Sequence, residues 1–234
     1  MDSPAQIIAD NVARIRERIS QAAQAAGRDA ADVALIAVSK YVGAAESAAL
    51  LAAGCRDLGE SRPQQLWEKA SLGELSAARW HLVGHLQRNK VRRTLPLATL
   101  IHSVDSRRLL AAIDAAASDL DLQPRVLLEV NTSGEAQKHG VQPEQLPELI
   151  EAAGDYPRVR VAGLMTMAAR EGGPQAAQPC FASLRRLRDD LRCNCPSSVQ
   201  LDELSMGMSR DFPQAIAEGA TLVRVGSILF EGVA

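Results

Sequence analysis

A closed (β/α)8 barrel of the TIM type, preceded by one extra helix, is the fold this sequence predicts, and three observations predict it. Eight short apolar runs alternate with helical stretches along the chain. The 234 residues suit one undivided α/β barrel. Apolar residues make up 47% of the chain and aromatics only 3%, so the core has to be built from Ala, Leu, Val and Ile, which favours helices packed on a sheet. No internal repeat, low-complexity segment or interdomain linker interrupts this alternation, and residues 1–234 read as one domain. A doubly wound open sheet is the weaker alternative.

The elements follow in order. Ser3 caps a leading helix with Pro4 at its first position, Ile7, Ile8, Ile15 and Ile19 form its apolar stripe, and Gly27 ends it. Strands are expected at 33–39, 56–60, 79–84, 99–104, 125–131, 159–166, 200–205 and 222–226. Helices are expected between them, at 44–53, 62–70, 87–95, 106–120, 143–153, 174–192 and 210–218. Gly54, Gly154 and Gly219 each follow a helical run as a C-cap. Glu171-Gly172-Gly173-Pro174 reads as a loop after the sixth strand, on the face where barrels of this kind carry their functional groups.

Charge and composition exclude several classes. A net charge of −2 and no basic tail give no general drive toward nucleic acid. No apolar run approaches a membrane span, and the opening Met1-Asp2-Ser3-Pro4-Ala5-Gln6 lacks the basic and apolar regions of a signal peptide, so a cytoplasmic protein is expected. The four cysteines then read as reduced thiols. Cys193-Asn194-Cys195 has no second Cys/His pair near it, and His81 and His85 fall on a strand-like run that separates them; no metal site is expected.

The chemistry concentrates at the two ends of the chain. Lys40 closes the apolar run Val33-Ala34-Leu35-Ile36-Ala37-Val38-Ser39, and it is the only lysine before Lys69. An amine delivered to the mouth of an α/β scaffold, with dry strand behind it, is how a Schiff-base lysine is made. Leu204-Ser205-Met206-Gly207-Met208-Ser209 and Val223-Arg224-Val225-Gly226-Ser227 supply small-residue turns suited to a phosphate, with a cation beside them. Phosphate in such barrels is bound after the seventh and eighth strands, and the first strand neighbours the eighth. Amine and cradle are thereby brought together. In this reading Ser209 also caps the helix that follows it, aiming that helix's N-terminus at the anion.

These residues resemble the pyridoxal 5'-phosphate homeostasis family, which looks like the barrel domain of alanine racemase standing alone. The likeness runs over nearly the whole chain: Ala37-Val38-Ser39-Lys40, Arg56-Asp57-Leu58-Gly59-Glu60, Trp80 through Lys90, Val130-Asn131, Gly163-Leu164-Met165-Thr166-Met167, Leu204 through Ser209, and Val223 through Ser227. The resemblance implies pyridoxal 5'-phosphate (PLP) held as a Schiff base on Lys40. It further implies Ser209, Gly226 and Ser227 on the phosphate, with Met206 and Gly207 in the same turn, Arg224 facing the pyridine nitrogen, and Asn131 and Met165 lining the pocket. The implied role is intracellular vitamin B6 homeostasis, buffering PLP or delivering it to apo PLP-dependent enzymes, with no catalytic residues; because the second domain that makes the racemase dimer contact is not expected, a monomer is expected.

Two departures and two rival functions accompany this expectation. The family usually has Asn after the Gly-Glu of the second strand, where this chain has Ser61, and the tail Phe230-Glu231-Gly232-Val233-Ala234 lacks a later Arg and Tyr. An alanine racemase needs a second base, a tyrosine from a partner's β-rich domain, which is not expected here; it also places a tyrosine a helical turn after its lysine, where Gly43 and Ala44 stand. A weak amino-acid racemase is the alternative. A sugar-phosphate aldolase is disfavoured because its Schiff-base lysines sit on later strands.

Overall fold

The computed structural model describes residues 2–135, 137–169 and 173–233. Eight parallel strands close into a barrel in chain order: β1 (Ala34–Val38), β2 (Asp57–Glu60), β3 (Arg79–Leu82), β4 (Ala98–Val104), β5 (Arg125–Glu129), β6 (Arg160–Met165), β7 (Val199–Ser205) and β8 (Leu222–Val225). The last strand returns to the first in register, with Ile36 opposite Arg224 and Ala37 opposite Val225. Each strand lies where its apolar run predicts, to within two residues at either end.

The helices are α1 (Pro4–Ala25), α2 (Ala44–Ala52), α3 (Pro63–Ala70), α4 (Val91–Thr94), α5 (Arg107–Leu120), α6 (Leu146–Ala153), α7 (Gly173–Leu191) and α8 (Phe212–Ala217). The Ser3 hydroxyl accepts from the Gln6 N–H at 3.2 Å, so the expected cap starts α1. That helix buries Ile8, Val12, Ile15 and Ile19 in the outer core beside α2 and α8, and its Asn11 amide donates to the carbonyls of Leu229 (3.2 Å) and Glu231 (2.9 Å). The tail is thus held by the extra helix.

Several boundaries differ from expectation. The 87–95 helix divides into a 3-10 turn, Arg88–Lys90, and the short α4; 143–153 likewise opens with the turn Pro143–Gln145. Gly54 and Gly219 take positive φ as C-caps should, but Gly154 stays right-handed at φ −61°; it is small because Pro196 packs 3.2 Å from where a side-chain carbon would stand. Of the expected loop after β6, Glu171 and Gly172 lie outside the described residues, whereas Gly173 and Pro174 open α7. Among the described residues no helix is long and apolar enough to cross a membrane.

The apolar core has two parts. The larger lies between barrel and helices; the smaller, Ile36, Leu100, Leu127, Ala162, Met165 and Leu222, plugs the barrel interior. One buried ion pair ties the layers: Lys69 of α3 donates to Glu60 of β2 at 2.6 Å and to the Ser39 carbonyl at 2.9 Å, and the Ser39 hydroxyl donates to the same Glu60 oxygen at 2.7 Å. The second Glu60 oxygen, buried, has no partner among the described residues. Removing one member strands the other's charge in low dielectric, at a cost of about 3–5 kcal/mol. Lys69→Met is therefore expected to lose that much stability in urea denaturation, and adding Glu60→Gln to recover most of it.

Candidate functional site

Strand polarity sets the site at one end of the barrel, since every parallel strand delivers its C-terminal residue to the same face. Period-2 alternation then decides which side chains enter. In β1 and β8 the inward positions include Ile36, Val38, Leu222 and Arg224, and Lys40 continues that parity beyond the strand end. Lys40 is half-buried, with its Nζ 4.8 Å from the centroid of the Tyr41 ring, and Tyr41 itself is 85% exposed.

The residues expected to make the cradle meet across the β7 and β8 loops. The Ser209 hydroxyl accepts from the Gly226 N–H and from the Ser227 hydroxyl, each at 3.3 Å, so three of the predicted residues meet in one cluster. Gly226 seats this cluster against β1: a side-chain carbon there would stand 3.2 Å from the Val38 carbonyl oxygen. Gly207 takes φ +87°, and a side-chain carbon would meet Ala215 Cβ at 2.5 Å, so the turn needs glycine on both counts. Its carbonyl accepts from the Arg224 N–H at 3.0 Å, which couples the turn to β8.

Other expectations change. Ser209 does not cap a helix, because α8 begins at Phe212 with Asp211 at its N-cap position, and the Asp211 carboxylate accepts from the Met208 N–H at 2.5 Å. Met206 is fully buried in the outer core; Ser205 before it points inward, so alternation turns Met206 away from the mouth. Asn131 spends its amide on its own loop, donating to the Glu135 carbonyl at 2.9 Å and accepting from the Ser133 hydroxyl at 2.8 Å. Met165 belongs to the interior plug, on β6, next to the strand β5 that leads into the Asn131 loop.

Arg224 is the buried cation of the site. It is 5% exposed and donates through Nη1 to the Ser205 hydroxyl (2.6 Å) and through Nη2 to the Thr166 carbonyl (2.9 Å). Burial pulls its pKa down to about 10, with Glu129 and Asp211 opposing, so it stays charged at neutral pH. Glu129 shares the interior: desolvation chiefly, and then Asp105, push its carboxyl up to about 7 against the pull of Arg224.

His81 and His85 part company, as their strand setting requires. His81 is buried inside the barrel, where it bonds to His102 and Asp57. His85 is exposed beyond β3 and stacks on His139, ring centroids 4.8 Å apart, with Asp105 nearby. Sequence reasoning passed over His102, Asp57, Glu129 and the Glu60–Lys69 pair. The usable signal was a polar residue at an inward position of an otherwise apolar strand, as in Leu100-Ile101-His102 and Leu127-Leu128-Glu129.

With this geometry in hand, comparison with known proteins is specific. The family model described as "Alanine racemase, N-terminal domain" matches residues 11–233. The pyridoxal phosphate homeostasis protein of Pseudomonas aeruginosa is 44% identical over 225 residues, 95% of this chain and 94% of that protein. The structure of PipY from Synechococcus elongatus, 37% identical, superposes without PLP at a TM-score of 0.85, covering 95% of this chain and 99% of PipY. With PLP bound the same protein gives 0.81 at 36% identity and the same coverage.

Glu129 makes the interior sensitive to pH. Its folded pKa of about 7 lies above the ordinary value of 4.5, so its stabilising contribution is complete below about pH 4.5 and is lost as pH rises through about 7, on the order of 3 kcal/mol in all. Glu129→Gln is expected to flatten the stability profile between about pH 5 and 8 and to exceed the parent protein in stability at the upper end, read by urea denaturation at each pH.

Proposed function

Because the chain belongs to the pyridoxal phosphate homeostasis family, whose barrel is the N-terminal domain of alanine racemase, we propose that it binds PLP at the barrel mouth and holds or delivers it, with no committed turnover. PipY, a relative of matching length, has been seen with PLP bound. The observation that carries the reading here is the seating of Gly226 against Val38, which sets the hydroxyl cradle beside the end of β1, two residues before Lys40.

The residues present suit this ligand. Ser209, Ser227 and the Gly226 turn are small enough to admit a phosphate, Arg224 provides a buried cation, and Lys40 provides an amine just past the end of the adjacent strand. When bound, PLP supplies an aldehyde that condenses reversibly with an amine. Lys40 is that amine in our reading. Arg224 would face the ring nitrogen, and because a guanidinium gives up no proton and accepts none, it leaves that nitrogen unprotonated and the ring a poor electron sink. Retention is thereby favoured over carbanion chemistry. Asn131 and Met165 would shape the wall and floor, and Gly207 the turn under the phosphate.

The delivery half of the proposal draws on the rim. Tyr41 (85% exposed, beside Lys40) and Met208 (38%, in the cradle turn) are the large apolar side chains left exposed among the described residues. Both flank the mouth, where an apo PLP-dependent enzyme would take the cofactor. We place the chain as one unit over residues 1–234, monomeric and cytoplasmic; the free state of Cys55, Cys180, Cys193 and Cys195 suits a reducing compartment.

Absorbance of the purified protein before and after borohydride tests this reading. A visible band that borohydride fixes onto the Lys40 peptide, and that Lys40→Ala abolishes, is expected, with no solvent deuterium entering the α-carbon of alanine. Brisk deuterium incorporation would instead make the protein a racemase, and failure to take up added PLP would overturn the proposal.

A further inference from the structure

A continuous line of side chains crosses the barrel beneath the mouth. Asp57 and Arg79 begin β2 and β3 on the opposite face and are paired there through Arg79 Nη2 and Asp57 Oδ2. Asp57 Oδ1 then meets His81 Nε2 at 3.0 Å, His81 Nδ1 meets His102 Nε2 at 3.0 Å, His102 Nδ1 meets the Ser205 hydroxyl at 2.8 Å, and that hydroxyl accepts from Arg224 at 2.6 Å. His81, His102, Ser205 and Arg224 are each no more than 5% exposed.

The two ends give this line a direction. Arg224 can only donate, and Asp57 can only accept while ionised. Desolvation alone would raise the Asp57 carboxyl, but the hydrogen bonds from His81 and Arg79 outweigh it and hold the group below its ordinary value. Burial foremost, with the Arg224 charge acting in the same direction, keeps His102 neutral. With both rings neutral and protonated on Nε2, every bond has one donor and one acceptor: Arg224 to Ser205, Ser205 to His102, His102 to His81, His81 to Asp57. No other pair of neutral tautomers satisfies all of them.

We propose that Asp57, His81, His102 and Ser205 form one directional hydrogen-bond chain that orients the Arg224 guanidinium, making Asp57, on the face opposite the mouth, a positioning residue for the site. The role of Arg224 toward PLP rests on the function proposed above; the chain itself does not.

The test separates the two. In Asp57→Asn the amide oxygen is claimed by Arg79, so its NH2 faces His81 and demands an acceptor there. Both imidazoles must then move their proton to Nδ1, and Ser205 loses its acceptor. Long-range nitrogen–proton spectra of ligand-free protein labelled at histidine, with His85→Gln and His139→Gln to clear the other two rings, should show Nε2-protonated His81 and His102 in the parent, Nδ1-protonated rings in Asp57→Asn, and parent tautomers restored in Asp57→Glu. An Nδ1 proton on either ring of the parent, or an unmoved proton on His102 in Asp57→Asn, would overturn the proposal. Should Asp57→Asn fail to fold, the parent spectrum alone still decides. On PLP-loaded protein the visible band is expected to shift with Asp57→Asn, and to cease responding to it when Ser205→Ala cuts the chain; a shift that survives Ser205→Ala also overturns the proposal. Swapped tautomers without a coloured complex would sustain the chain and refute the PLP reading instead.

Discussion

The return of β8 to β1 is the constraint on which the rest of this molecule depends. The two strands come from opposite ends of the sequence, and their parallel register places Arg224 opposite Ile36 and Gly226 against Val38. Without closure, the amine at Lys40 and the hydroxyls at Ser209 and Ser227 would be unrelated groups on separate loops. With it, the site follows from strand polarity alone, because each parallel strand must deliver its last residue to the same rim. The extra helix α1 reinforces that seam from outside, through the Asn11 amide on the carbonyls of the last turn.

Closure also creates an interior, and this barrel fills it unusually. Side chains inside such barrels are commonly bulky and apolar. Here the apolar plug is small, and the remaining space holds Glu129, Arg224, two histidines and a serine, nearly all of them buried. Burying so many polar groups is tolerable only where each finds a partner, and the line from Asp57 to Arg224 provides one at every step. Glu129 is the exception: no side-chain partner holds it among the described residues, and its carboxyl shifts toward the neutral form instead.

The fold was legible because its signals are local. Apolar runs, a Ser-Pro helix start and glycine stops mark the elements, and eight runs of strand length alternating with helices favour a closed sheet over an open doubly wound one. Lys40, Ser209, Gly226, Ser227 and Arg224 stand out in the sequence as candidates because they are small residues or cations at strand ends, and three of them, Ser209, Gly226 and Ser227, do meet in space. What escaped was what depends on facing. Nothing in the spacing of Asp57, His81 and His102 says that they touch, since they sit on three strands whose stagger is fixed only by closure. Lys69 on α3 reads as an ordinary helix lysine until its packing onto Glu60 is seen. Ser209 as a helix cap failed for the opposite reason: Asp211, two residues on, occupies the N-cap position and also satisfies the preceding turn.

The Glu60–Lys69 pair lies outside the barrel wall, yet its ammonium grips the carbonyl of Ser39, the residue just before Lys40. The placement of Lys40 is thus borrowed from a helix that no ligand in the mouth would touch. Variation in α3 therefore has a route to the position of Lys40 that leaves every residue of the mouth intact. On the function proposed above, relatives with identical mouths would differ in how long they keep what they bind, and a search for the cause confined to the pocket would miss it.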